Sequence, residues 1–278
     1  MQNTKTFFIT GVSSGFGRAI AHAALQAGHR VVGTIRTAQA AADCEQQFRG
    51  HFHVKRLDVT QFDAVAPLAA EIEAQIGPVD VVVNNAGYGH EGILEESSLA
   101  EMRHQFDVNV FGPVAVIKAF LPFMRERRRG HIINITSMGG YITMPGIAYY
   151  CGSKFALEGI SETLAKEVKG FGIAVTAVAP GSFRTDWAGR SMVRSARSIA
   201  DYDALFDPIR QSRRDKSGRQ LGDPDKAAAA ILTLVGMREP PEHLLIGSDA
   251  IGLVCAKLEA TQAGIAAHEV LSRSTDMA

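Results

Sequence analysis

The chain has 278 residues, 46% of them hydrophobic and 21% charged, with 29 Lys and Arg against 29 Asp and Glu. That is the composition of a soluble globular protein with ample apolar material for a core, and its balanced charge gives no sign of nucleic acid or an anionic membrane as partner. The three cysteines form no Cys-x-x-Cys pair and the nine histidines no His-Glu-x-x-His, so a reduced compartment and no metal are expected.

In chain order, the first predicted strand is "TFFIT" (6–10), which runs straight into "TGVSSGFG" (10–17). With an apolar β-type run so early, no signal peptide is expected. No stretch reaches 18 uninterrupted apolar residues, so no spanning helix is expected and cytoplasm is the default location. After the glycines, "AIAHAALQA" reads as a helix stopped by Gly28. Strands follow at "RVVGTI" (30–35) and "HFHVKRL" (51–57), then the helix "APLAAEIEAQI" stopped by Gly77, and the strand "VDVVVN" (79–84). The basic run "RERRR" (125–129) should complement a helix C-terminus and face water. Next come the strand "HIINIT" (131–136), a helix over 148–169 stopped by Gly170, and strands "IAVTAVA" (173–179) and "HLLIG" (243–247). The strands are apolar nearly throughout, as buried parallel strands are. Seven of them alternating with helices predict one doubly wound α/β domain of the Rossmann type over 1–278, with helices on both faces. Between the sixth and seventh strands lies a polar, arginine-rich segment, 183–222, which reads as a substrate lid rather than a surface excursion. Residues 251–278 form a C-terminal extension.

A glycine loop between a first strand and its helix suits a dinucleotide. Gly11 allows the tight turn, Gly15 lets backbone approach a phosphate, and Gly17 permits close helix packing. Ser13 and Ser14 add hydroxyl donors, and the helix N-terminus faces the pyrophosphate with unpaired N–H groups. The second strand ends without an acid to hold a ribose 2′-hydroxyl, and Arg36 stands there instead. A guanidinium suits a 2′-phosphate, so NADP(H) is the expected cofactor.

Seven motifs in order now resemble the short-chain dehydrogenase/reductase family in its single-domain branch: "TGVSSGFG", "LDVT" (57–60), "NNAG" (84–87), "DVNVFG" (107–112), "NITSMGG" (134–140), "YCGSK" (150–154) and "PGSFRT" (180–185). The resemblance implies that Asp58 and Val59 meet the adenine, and that Asn85, Ala86 and Gly87 line the adenosine side. Pro180, Gly181, Phe183 and Thr185 would grip the nicotinamide end, while Asn109, Ser137, Tyr150 and Lys154 form the catalytic set, Tyr150 and Lys154 also touching cofactor. Phe16 and Phe183 depart from the family's commoner aliphatic residues, in slots that act through backbone and apolar surface. Residues four apart on a helix differ by about 40° around its axis and residues five apart by about 140°. Tyr150 therefore shares a face with Lys154 and Tyr149 does not, which makes Tyr150 the acid. Lys154 should lower the Tyr150 pKa, Ser137 should donate to the substrate oxygen, and Asn109 should hold a relay water.

The implied reaction is hydride transfer between nicotinamide and a carbonyl or secondary alcohol. Around "YCGSKFALEGISETLAKEV" the chain is similar to 17-beta-hydroxysteroid and retinol dehydrogenases, which points to an apolar ketone or aldehyde. Gly139, Tyr141, Met144, Tyr149, Trp187 and Met192 are the candidate substrate wall, although Trp187 and Met192 could equally pack the lid. The alternative is a non-catalytic NADP(H)-binding sensor or scaffold, which usually loses the tyrosine or lysine. Helices over 99–126 and 148–169 form a dimer interface in the family, so a homodimer or homotetramer is expected.

Overall fold

The computed structural model describes residues 4–48, 51–189 and 191–277. Its strands are β1 (Thr6–Thr10), β2 (Arg30–Ile35), β3 (Phe52–Arg56), β4 (Val81–Asn84), β5 (Gly89–Glu91), β6 (Gly130–Ile135), β7 (Ile173–Pro180), β8 (Met192–Arg194) and β9 (His243–Ile246). The helices are α1 (Gly15–Gln26), α2 (Ala38–Gln47), α3 (Phe62–Gln75), α4 (Leu99–Phe106), α5 (Gly112–Arg127), α6 (Ala148–Val168), α7 (Asp203–Asp215), α8 (Pro224–Gly236), α9 (Ser248–Ala267) and α10 (Glu269–Arg273).

Seven strands form one parallel sheet in the order β3-β2-β1-β4-β6-β7-β9. All seven expected strands are present, and the doubly wound fold is as read from their apolar runs. Because successive side chains point to opposite faces, each central strand feeds two cores. Phe7, Ile9, Val81 and Val83 pack beneath α1 and α8, while Phe8, Val82 and Ile132 pack with residues of α3, α5 and α6 on the other face. Strand order reverses between β1 and β4, and in such sheets ligands bind where the carboxyl ends of the diverging strands leave a crevice.

Four local expectations change. α6 ends through a short 3-10 turn, and the left-handed stop is Gly172 (φ 69°), two residues beyond Gly170. Arg127 does not simply face water: its guanidinium pairs with Glu73 at 2.6 Å and donates to the Val79 carbonyl at 2.9 Å, clamping α5 to the α3–β4 junction. Arg128 is the left-handed cap of α5 (φ 55°) and lies over the Phe171 ring. The polar, arginine-rich 183–222 segment, for which no element was expected, holds β8 and α7. Finally, Leu99–Arg127 and Ser248–Ala267 are both long and apolar enough to cross a membrane by length and composition. The first is half buried in the protein; α9 is exposed on nearly all sides, with Ala250 and Val254 its buried residues.

Candidate active site

The loops that follow β1 and β4 are stitched together. Asn85 Nδ2 donates to the carbonyls of Thr10 and Gly11, each at 2.9 Å, while Thr10 Oγ1 accepts from the amides of Asn85 (3.0 Å) and Ala86 (2.9 Å). Gly11 (φ 73°) and Gly15 (φ 55°) sit in left-handed backbone that favours glycine. A Cβ on Gly17 would overlap the Gly11 carbonyl oxygen and Asn85 Nδ2. Gly17→Ala should therefore cost about 1–3 kcal/mol as an overpacked contact. The expected result is a lower Tm, by roughly 2–4 °C per kcal/mol, and weakened nucleotide binding in a fluorescence titration.

The amino end of α1 suits a phosphate group. Its first turn carries no acid, and Ser14 at the N-cap makes no capping bond. Ser13, Ser14, Gly15, Arg18, Arg184 and Thr185 line a cleft of about 710 Å³ there. Unpaired N–H groups, the helix dipole, Arg18 and Arg184 favour an anion, with Asp186 and Asp225 the opposing charges in the same lining. At the end of β2, Arg36 is exposed and its carbonyl accepts from Arg56 Nε at 3.3 Å. Asp58 accepts from the Thr60 amide (3.0 Å) and hydroxyl (2.7 Å). Burial pushes its pKa up, but Thr60 and the Arg36 charge outweigh that and hold it below the ordinary carboxylate value. Val59 turns into the core against Gly112.

Asn109 lies in a π-helical turn, Asp107–Phe111, between α4 and α5. Pro113 has no N–H to give the Asn109 carbonyl, as an α-helix would require. The Gly112 amide instead bonds five residues back to Asp107, widening the turn. The Asn109 side chain is clamped on Tyr88, accepting from its amide and donating to its carbonyl at 3.2 Å, and Nδ2 also lies 3.1 Å from Ser153 Oγ. The Gly87 α-carbon packs against Asn109 Oδ1, where a Cβ would come within 3.1 Å.

Tyr150, Ser137 and Lys154 come together beside this turn. Ser137 Oγ accepts from the Gly139 amide at 3.0 Å and faces the Tyr150 hydroxyl. Lys154 Nζ donates to the Ile135 carbonyl at 2.8 Å and lies 5.8 Å from the Tyr150 ring centroid. Burial lowers the Lys154 pKa to about 8, with Glu158 pulling the other way. The Tyr150 phenol is pushed above its ordinary value by burial, against the pull of the Ser137 hydroxyl and the Trp187 indole. The expected lowering by Lys154 does not outweigh that burial in this arrangement.

The candidate substrate residues divide. Gly139 abuts the Tyr150 ring, where a Cβ would meet Cε1 at 3.3 Å. Met144 and Trp187 pack on the Ile147–Tyr150–Cys151 cluster, Trp187 with its ring centroid 5.0 Å from that of Tyr150. Met192 joins Trp187 over Gly89. Tyr149 points elsewhere, its hydroxyl donating to the Ser97 carbonyl at 2.8 Å and its ring lying 5.0 Å from His90. Tyr141 also leaves the set: its hydroxyl is held by Glu158 and His243. On the cofactor side, Phe183 is a core residue set edge-on to Phe16 at 5.1 Å. Gly181, after Pro180, is glycine because Asp249 packs on it and accepts from the Ser182 amide at 2.7 Å. Thr185 faces Gly15, whose Cβ would lie 3.6 Å from Thr185 Cβ.

Sequence reasoning missed how the 183–222 segment is held. β8 pairs in parallel with β5, and Glu91, with its side chain fully buried, is approached by Arg194 (3.0 Å), Arg210 (3.1 Å) and Arg213 (3.3 Å). Glu96 accepts from the amides of Ser198 and Ile199 and pairs with Arg197. Ser195 Oγ contacts both His90 and Glu101. The only sequence signal was the density of arginine in 183–222 against "EGILEE" (91–96).

Comparison with known proteins agrees with this geometry. The family profile described as short chain dehydrogenase matches residues 5–194. Oxidoreductase BOA17 of Botryotinia fuckeliana is 39% identical over 250 residues, covering 89% of this chain and 90% of its own. The 3-ketodihydrosphingosine reductase of Bacteroides thetaiotaomicron is 38% identical over 241 residues (86% of each). Human retinol dehydrogenase 8 is 35% identical over 260 residues (85% and 79%). Among solved structures, a short-chain dehydrogenase from Streptomyces avermitilis superposes with a TM-score of 0.91 at 40% identity, covering 99% of this chain and 100% of that one. A family member from Burkholderia phymatum in complex with NAD gives 0.81 at 26% (94% and 95%), and a metagenomic one in complex with NADP gives 0.69 at 29% (87% and 96%). With its glycine loop, its Ser137–Tyr150–Lys154 cluster and its relatives in agreement, the chain belongs to the short-chain dehydrogenase/reductase family of oxidoreductases.

Proposed function

We propose that the chain is an NADP(H)-dependent reductase of apolar ketones or aldehydes, with Tyr150 as the acid. The observation that carries this reading is the meeting of the Tyr150 and Ser137 side chains beside Gly139, with Lys154 one helical turn on along α6. A nicotinamide, when bound, would supply the hydride. The chain's own part is to orient the carbonyl and to manage its oxygen: Ser137 donates a hydrogen bond, and Tyr150 gives up its phenolic proton as negative charge develops. Trp187, Met144 and Met192 offer an apolar wall, which favours a substrate without charge near the reacting carbon.

Preference for the 2′-phosphorylated nucleotide rests on Arg36, with Arg56 beside it and no acid on β2. Replacing Arg36 by Asp should lower kcat/KM for NADPH by roughly tenfold to a hundredfold, the loss of a charged hydrogen bond of about 1.5–3 kcal/mol, and should raise it for NADH. Equal use of both nucleotides by the unaltered chain would overturn the preference. The decisive assay is absorbance at 340 nm over a panel of steroid, retinoid and simple aliphatic ketones and aldehydes. Nucleotide binding without turnover of any of them would leave a sensor in place of an enzyme. Exposed Phe62, Phe111 and Phe155, two of them on or beside the long helices α5 and α6, support a homodimer through that face, to be checked by sedimentation.

A further inference from the structure

Trp187 is the chain's one tryptophan, and it sits on the residue proposed as the acid. Its ring centroid lies 5.0 Å from that of Tyr150, with the planes inclined at 57°. The indole is closely seated. Thr185 Oγ1 accepts from the Trp187 amide at 3.4 Å, at the head of a 3-10 turn over Asp186–Ala188. A Cβ on Gly89 would come within 2.9 Å of indole Cε2, of Nε1 and of Met192 Cε, so only a glycine admits the ring this close. Nε1 is buried and has no hydrogen-bond partner among the described residues. A buried tryptophan N–H usually finds a partner, and a bare one is costly, so an apolar wall alone would be better made from phenylalanine. The indole reaches the Tyr150 hydroxyl as the Ser137 hydroxyl does, and both favour the ionised phenol against the burial that opposes it.

We propose that Trp187 is a positioning residue for the acid, its indole N–H being the donor that receives the Tyr150 phenolate. This deepens the proposed reduction and rests on Tyr150 being its acid. When Tyr150 passes its proton to the substrate oxygen, the phenolic O–H bond breaks as the alcohol O–H bond forms. A full negative charge is then left on an oxygen in buried surroundings. A neutral phenol offers the indole a weak acceptor and a phenolate a strong one, since hydrogen bonds to charged acceptors are shorter and roughly twice as strong. The contact gains strength as the proton leaves, which is the condition for lowering a barrier. Around the phenol the titratable and charged groups are Lys154 and Cys151 of α6. The turn after β6 contributes Ser137, the 183–222 segment contributes Trp187, and Arg213 of α7 bears on Cys151.

A lone tryptophan allows a change at one atom. Expression with 3-benzothienylalanine in place of tryptophan puts sulfur where Nε1–H stood, at position 187 and nowhere else. With NADPH and 4-nitrobenzaldehyde, kcat should fall by roughly tenfold to a hundredfold, the range for a hydrogen bond to a charged group. KM for NADPH should be unchanged. Oxidation of 4-nitrobenzyl alcohol places a proton on Tyr150, so its rising alkaline limb, which Lys154 and Tyr150 share, should move to higher pH in the sulfur-containing protein. Trp187→Phe, which also lacks the donor, should behave alike. Normal kcat in the sulfur-containing protein, even with Trp187→Phe slowed, would reduce the indole to a wall and overturn the proposal. So would a slowed protein whose alkaline limb has not moved. Absence of turnover by the unaltered chain with every carbonyl tried would instead sink the reductase reading itself.

Discussion

Phenylalanine at position 150 should leave the fold standing and remove turnover. The substitution keeps the ring that packs on Trp187 and Ile147 and deletes only the hydroxyl facing Ser137. Stability should change by about 1 kcal/mol, the net worth of a hydrogen bond. The rate should fall by roughly 10²–10⁴, the range for losing a positioned acid. Nucleotide affinity, measured by fluorescence, should stay within a few-fold, which separates chemistry from binding. The pH profile has a definite sign. Lys154, lowered to about 8 by burial, is charged below that pH and neutral above it. In the proposed mechanism reduction consumes a proton at Tyr150, which the charged lysine would resupply. Reductive kcat should therefore be level below about pH 8 and fall above it, and oxidation of an alcohol should show the opposite slope. A Tyr150→Phe protein with normal kcat would remove the mechanism.

The second large effect belongs to stability. Glu91→Ala strips Arg194, Arg210 and Arg213 of the carboxylate they share, in surroundings where those side chains are 22%, 17% and 13% exposed. Breaking a buried ion pair from one side costs about 3–5 kcal/mol, and a chain of this size loses roughly 2–4 °C of Tm per kcal/mol. The loss should be local as well as global, because the pairs tie β8 and α7 to β5. Limited trypsin digestion should cut between 194 and 216 in Glu91→Ala at concentrations that leave the parent whole. Glu91→Gln, which keeps the shape and some hydrogen bonds, should fall between them. Equal protease resistance in all three would show that the β5–β8 pairing holds the 183–222 segment unaided.

How much could be read beforehand follows from the range of each signal. Buried parallel strands announce themselves locally, because a strand covered on both faces must be apolar on both; "VVVN" and "FFIT" left little choice. Tyr150 and Lys154 were separable from Tyr149 by helix geometry alone, and the structure sends the Tyr149 hydroxyl to Ser97. Gly17 was legible as a packing glycine, although its contact with Asn85 was not. What stayed hidden depends on partners distant in the chain. Glu91 finds arginines more than 100 positions away, and neither end carries a motif. β5 is "GHE", which has no strand propensity and pairs only because β8 lies beside it. Tyr141 was placed in the cleft by its nearness to Ser137 in sequence, whereas the short turn Met138–Gly140 carries it over to His243. The π turn did have a signal in Pro113, visible as a missing donor but not as a direction of widening.

The fastening of 183–222 also bears on how this protein could be rebuilt. The segment that closes over Tyr150 is fixed less to the sheet beneath it than to residues 89–101, through Glu91, Glu96 and Glu101. The glycine loop and the Asn85 stitch take no part in those contacts. A designer who swaps 183–222 alone into another scaffold leaves Glu91 and Glu96 without their arginines, while Glu101 keeps Ser98 and His90. The transferable cassette is the pair of segments together, and moving it also moves Thr185 and Trp187, which pack on Gly15 and Tyr150.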